Sequence, residues 1–295
     1  MLRSLLMRKV GIMTVQNWWI LLCVMAVVNI ATWTVSAVSL ARQHEYFFKA
    51  AKHKKQRWML WLSAAYVAGC AFRSILPRID LERICLYQSW LSNMMLGRGV
   101  ATVAELCFIA QGALLLHQAG KYTGIRFVSV VSLLLIPIIV VAECASWYAV
   151  LSTNYLGHVI ENSIWTFSAV LLLVSLVLLW PHSNRANRHY LIAMIAFAIG
   201  YLIFMTKIDV PMYWSRWSAD QLAGTQYLSL TKGILDASQA CVVDFSMGIW
   251  REEIPWMTLY FTVAVWISIS LTHIPGWLND SKRANRVLSI SKTIE

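Results

Sequence analysis

The chain has 295 residues, 59% of them hydrophobic and only 13% charged, with a formal net charge of +11. Soluble domains carry about 25% charged residues, so a soluble globular protein is excluded: it could not cover its own surface. The basic residues lie mainly in short loops between apolar runs, which points to anionic lipid headgroups as partners and excludes nucleic acid.

An apolar helix needs about 20 residues to cross the hydrocarbon core. Seven windows meet that length, at 18–41, 58–77, 99–119, 127–151, 162–180, 189–206 and 256–274. Each must be helical, because a lone strand would leave backbone groups unpaired in lipid. The expected fold is an all-α integral membrane protein, a bundle of about seven transmembrane helices. The first window follows Arg3, Arg8 and Lys9 and resembles a signal peptide in its flank, but its apolar stretch is longer than a typical signal core. Residues 1–280 read as one polytopic domain and 281–295 as a basic tail.

Seven alternating crossings divide the connections into two sets. The 42–57, 120–126 and 181–188 loops and the tail after 275 hold fourteen Lys and Arg, among them Lys49, Lys52, Lys54, Lys55 and Arg57, against Glu45, Asp280 and Glu295 alone. The rest of the chain nets zero. By the positive-inside rule the basic set faces the cytoplasm. The N-terminus is then outside and the C-terminus inside, although the basic N-terminus by itself favours the cytoplasm. The setting is a bacterial inner membrane or a eukaryotic endomembrane or plasma membrane. The tetrapeptide Arg185-Ala-Asn-Arg188 recurs at Arg283-Ala-Asn-Arg286. It reads as ordinary basic flanking sequence before it reads as a pair of phosphate-binding steps.

The one long connection, 207–255, carries six acidic residues and Lys232. Charges at the centre of a span cost about 2.5 kcal/mol or more each. The segment therefore reads as an amphipathic or re-entrant piece on the extracytoplasmic side, with Tyr227–Trp250 as its helix. Cys85 and Cys241 are the two cysteines outside the apolar runs. They fall on the expected oxidising side and could pair, with two unrelated thiols as the plainer alternative.

Ionisable residues inside spans are costly, so they usually face a bundle interior. Arg98, Thr102 and Glu105 recur at i, i+4 and i+7 and form one polar stripe, with Arg98 two turns from Glu105 and too far for direct pairing on a straight helix. Glu143 and Ser146 share a face, as do His158, Glu161, Asn162 and Trp165, while Arg73 ends the second span. With Asp236 and Asp244 from the long connection, Arg73, Arg98, Glu105, Glu143, His158 and Glu161 form the candidate ligand-binding cavity. Structural ion pairs that lock the helices together are the alternative. His158 and Glu161, one turn apart, are weak metal candidates, because bundle sites normally supply two Glu-x-x-His pairs. His117 and His273 could flank a haem but read more simply as interfacial histidines.

No catalytic signature is present: there is no GxSxG, P-loop or dinucleotide fingerprint, and no Lys in the last span for a retinal Schiff base. The cofactor is left open. Trp at the span ends reads as an aromatic belt, with Trp214, Trp217 and Trp250 as an alternative stacking surface. The expected function is transport or binding of a small polar or lipid-like ligand in an acidic, Arg-containing extracytoplasmic cavity. A membrane enzyme acting on a lipid or lipid-linked substrate is the alternative, as is a structural subunit of a homo- or hetero-oligomeric membrane complex.

Overall fold

The computed structural model describes residues 14–43, 53–183 and 185–274. The expectations for Arg3, Arg8 and Lys9, for Lys49, Lys52 and Glu45, and for the 281–295 tail fall outside the described residues.

Among the described residues, six helices are long and apolar enough to cross a membrane. In chain order the bundle begins with α1 (Val15–Gln43) and α2 (Lys54–Ile75). It continues with α3 (Met94–Thr123), α4 (Arg126–Ser152) and α5 (Tyr155–Leu179). Next come α6 (Arg185–Phe204), a π-helical turn (Met205–Asp209) and α7 (Val210–Ala223), which run on as one rod. α8 (Leu230–Ala237) and α9 (Met247–Trp250) are short, and α10 (Glu253–Phe261) and α11 (Val263–Leu271) form the last apolar rod. The helix over the expected 58–77 span, α2, is not among the six. It begins with Lys54, Lys55 and Arg57 and buries Gln56, Ser63, Arg73 and Ser74 against its neighbours. This matches a helix that faces protein more than lipid.

Local sequence explains the sharp turns. Asn93 caps α3 by accepting from the N–H groups of Met95 and Leu96, and Asn154 caps α5 through Leu156. Gly124 ends α3 in the left-handed conformation at φ 75°, which a residue with a Cβ resists. Gly157 lets α5 press on α4, since a Cβ there would stand 2.7 Å from the Ala145 carbonyl oxygen. Polar contacts tie the first helices to the last. Gln111 donates to the carbonyls of Met59 and Ser268, and the Ser268 hydroxyl donates back to Gln111 Oε1. The last rod breaks at Thr262, which frees the Phe261 carbonyl inside the bundle. Asn29 of α1 donates to that carbonyl at 2.8 Å, and Trp266 in turn donates to Asn29.

At one end of the bundle a small cap joins three two-residue strands. β1 (Arg78–Ile79) pairs antiparallel with β2 (Ile84–Cys85), and β2 pairs parallel with β3 (Val242–Val243). A Cys85–Cys241 disulfide staples the cap. Arg83, in the turn between β1 and β2, donates to Asp236 at 2.7 Å and to the Val150 carbonyl at 2.8 Å. The same end holds Arg78, which donates to the carbonyls of Leu76 and Asn93; burial pushes its guanidinium down to about 10, with Asp80 beside it acting the other way.

The 207–255 segment differs from the expected re-entrant helix. Its first part continues the apolar helix without interruption, so that Arg188–Ala223 is one 36-residue rod. At ~1.5 Å per residue this rod is ~54 Å long, well beyond the ~30 Å hydrocarbon core. Lys207, Asp209 and Pro211 look like helix-ending residues in sequence. Pro211 instead sits at the start of α7 just after the widened turn. That turn gives room for the proline ring and the missing N–H. The Tyr227–Trp250 stretch is likewise not one helix but α8, β3 and α9 in succession.

Candidate functional site

The polar stripes read from sequence meet near the capped end of the bundle. Arg98 reaches from α3 to Glu143 of α4 at 2.8 Å and to Glu161 of α5 at 3.1 Å. It also lies 3.6 Å from Glu105 on its own helix. The expectation that two turns would keep Arg98 and Glu105 apart is therefore corrected. Seven residues of helix rise ~10.5 Å, and two long side chains extended toward each other close that distance. Oxygens of Glu105, Glu143 and Glu161 lie within 4.8 Å of one another, so one guanidinium stands among three buried carboxylates.

A ring of neighbours holds this cluster. Thr102 donates to Glu143 at 2.6 Å and itself accepts from the indole of Trp147. Tyr260 donates to Glu105 at 3.1 Å, and Arg73 approaches the same carboxylate at 4.0 Å while lying against the rings of Trp256, Tyr260 and Phe261. His158 Nδ1 hydrogen-bonds Glu161 at 2.6 Å, one turn away on α5. That bond commits one imidazole nitrogen and leaves Nε2 for other partners. As for the weak metal candidates, a cation bound by Glu161 and its neighbours would have to displace Arg98, which already occupies the centre of the cluster.

A second cluster forms where α7 meets α10. Arg216 lies 3.4 Å from Glu82, 2.6 Å from Glu252 and 3.0 Å from Glu253, beneath the rings of Tyr155 and Tyr213. Tyr155 donates to Glu82 at 2.7 Å. Between the two clusters stands Asp209, buried and accepting from Asn162 at 2.6 Å.

These groups line one end of a cavity of about 750 Å³. Its charged end includes Arg73, Arg98, Glu105, His158, Glu161, Asp209 and Arg216. The rest runs down the bundle between Ile109, Leu116, Leu172, Leu176, Leu179, Met194, Phe197 and Val263, as far as Tyr122 and His182. α3 and α5 form one wall. α6 lines the cavity on one side and α10 with α11 on another, yet α6 packs on α5 and not extensively on the last rod.

Of the residues singled out from sequence, Arg73, Arg98, Glu105, His158 and Glu161 line the cavity, and Glu143 stands behind Arg98. Asp236 and Asp244 do not belong to it. Asp236 is bound up with Arg83 at the cap. Asp244 is half-buried outside the cavity and accepts from the Ser246 N–H, which holds its carboxyl below the usual range. Trp250 is fully buried against Trp18, so it cannot join Trp214 and Trp217 in an exposed stacking surface. His117 and His273 each contact a serine hydroxyl, of Ser132 and Ser36 respectively. Sequence reasoning missed Asp209, Tyr213 and Arg216. Their i, i+4, i+7 spacing was a helical signal, hidden by ending the sixth span at 206 and reading 207–255 as a separate amphipathic or re-entrant segment. Comparisons with protein-family models, with curated proteins and with solved structures found no match.

Proposed function

We propose that this multi-pass membrane protein binds an amphiphilic, lipid-like ligand inside the bundle, its polar group at the Arg98–Glu105–Glu161–Asp209 end and its apolar part along the shaft between α3, α5, α6 and α11. The observation that carries this reading is the two-part lining of a single cavity. One end is dense in buried charge, and the remainder is lined by Leu, Ile, Phe and Met. A small polar solute would gain nothing from so long an apolar shaft, whereas a lipid chain matches it.

The proposed topology has seven crossings, counting α2, with the capped end extracytoplasmic and the C-terminus cytoplasmic. Two observations support it: the one-sided placement of the net +11 charge and the Cys85–Cys241 disulfide at the capped end, since disulfides persist in oxidising compartments. The binding reading is tested by isolating the protein in a mild detergent, washing it, and identifying retained lipids by mass spectrometry. One lipid class retained in near-stoichiometric amount is expected. A washed, folded protein with no lipid above the detergent background would contradict it.

The His158–Glu161 pair favours a second reading, a membrane enzyme acting on such a lipid. A carboxylate on Nδ1 orients an imidazole and fixes its tautomer, leaving Nε2 to take a proton as a general base does. Conversion of the retained lipid on incubation, lost in His158→Gln, would favour the enzyme over a carrier.

A further inference from the structure

The charges lining the cavity do not balance. Its polar end holds four guanidiniums, Arg73, Arg78, Arg98 and Arg216, against six carboxylates. A buried carboxylate without a counter-charge is costly, and a surplus invites a cation. The guanidiniums are largely engaged. Arg98 and Arg216 each meet three carboxylates, and Arg73 meets Glu105 and three aromatic rings. Arg78 donates to backbone carbonyls and lies against Phe72, with Nη2 its one buried nitrogen that lacks a partner. An anionic headgroup would meet guanidiniums already facing carboxylates, with Arg78 Nη2 beside Asp80 and Arg98 Nε among three glutamates as the buried nitrogens that lack a partner.

Asp209 is the opposite case. It is 6% exposed, lines the cavity, and forms no ion pair among the described residues; it accepts from the amide of Asn162, a neutral donor. It stands in the π-helical turn Met205–Asp209, a local widening of the kind often found at functional sites. One turn on, Tyr213 lines the same space, its ring 4.9 Å from that of His158. The Tyr213 ring already carries the Arg216 guanidinium at 5.5 Å, which shows that it accepts a cation. The depth also fits. Asp209 is ~31 Å along the rod from Arg188, about one hydrocarbon thickness, where the headgroup of a lipid lying along the shaft would stand.

We infer that the ligand's polar group is positively charged, an ammonium on a long-chain amphiphile, and that Asp209 is the carboxylate that receives it. The inference rests on the proposed lipid-binding reading and narrows it to a chemical class. Asp209 is the counter-charge, Tyr201 lines the same space while Tyr213 holds the Arg216 guanidinium, and the chain runs toward Leu116 and Leu179.

Three photoreactive probes with one sixteen-carbon chain and different ends, a primary amine, an alcohol and a carboxylic acid, separate the possibilities. Each is incorporated at equal membrane content into phosphatidylcholine nanodiscs holding the full chain, at neutral pH, and cross-linked peptides are mapped by mass spectrometry. The amine is expected to label the cavity peptides of α5 and α6 about tenfold more than the acid. Asp209→Asn should bring the amine down to the level of the alcohol. Labelling by the acid equal to or above the amine overturns the inference, as does an amine preference that survives Asp209→Asn. If the variant does not fold, the ranking of the three probes on the unsubstituted protein decides alone. Equal cavity labelling by all three leaves lipid binding standing and removes the ammonium. Absence of cavity labelling by any probe removes both.

Discussion

Removing Arg98 would leave Glu105, Glu143 and Glu161 facing one another inside the bundle, their oxygens within 4.8 Å. Breaking a buried pair by deleting one partner typically costs about 3–5 kcal/mol. Arg98→Met should therefore lower the unfolding midpoint in detergent sharply, and adding Glu143→Gln should recover part of the loss by removing one stranded charge. A midpoint unchanged in Arg98→Met would show that the cluster does not hold the helices. Tyr260→Phe, which removes only the hydroxyl that donates to Glu105, should cost about 1 kcal/mol by the same assay. The stripe of Arg98, Thr102 and Glu105 and that of His158, Glu161 and Asn162 were legible in the sequence, because helical spacing puts such residues on one face. Their partners were not. Helical spacing fixes which residues share a face, but not that Tyr260 and Arg73 would meet Glu105 across helices, nor how far an arginine can reach along its own helix.

Among the elements, the cap depends on pairing that no local pattern announces. Its strands are two residues each, too short to show the period-two alternation by which strands are recognised. What could be read was that Cys85 and Cys241 both lie outside the apolar runs. The bridge between them spans 156 positions in sequence and holds the 224–250 region onto the 76–93 connection. Bridges of this kind commonly contribute about 2–4 kcal/mol. Cys85→Ser, or reduction of the native protein, should lower the unfolding midpoint while leaving helical circular dichroism nearly unchanged, since the long helices satisfy their own backbone groups. A large loss of helicity on reduction would contradict that division between cap and bundle. The rod Arg188–Ala223 teaches the complementary lesson. The acidic residues from Asp209 onward and Lys232 argued for a connection outside the spans, because charges at the centre of a span are costly. The π turn accommodates the proline, and Asp209 and Arg216 turn to a polar cavity while Lys207 stays exposed.

For the whole molecule, the apolar runs were plain from composition and window length, which do not depend on tertiary contacts. The cavity was not, because it arises from how six long helices and α2 are arranged, with α6 and the last rod lining it from different sides. The proposed topology predicts that a reporter fused after Ile290 reads cytoplasmic and one inserted at 224–229 reads external; both on one side would contradict it. The central claim, that the shaft holds a lipid chain, is tested most directly by filling the shaft. Gly112 lines the cavity, and a Cβ built there meets nothing within 4 Å, so a large side chain can enter the open space without striking the backbone. Native mass spectrometry of the detergent-solubilised protein then compares the unsubstituted chain with Gly112→Trp. Lipid binding in the shaft predicts one retained lipid on the former and at least about a tenfold lower occupancy on the latter, at an unchanged unfolding midpoint. Equal lipid retention by the two proteins would contradict it.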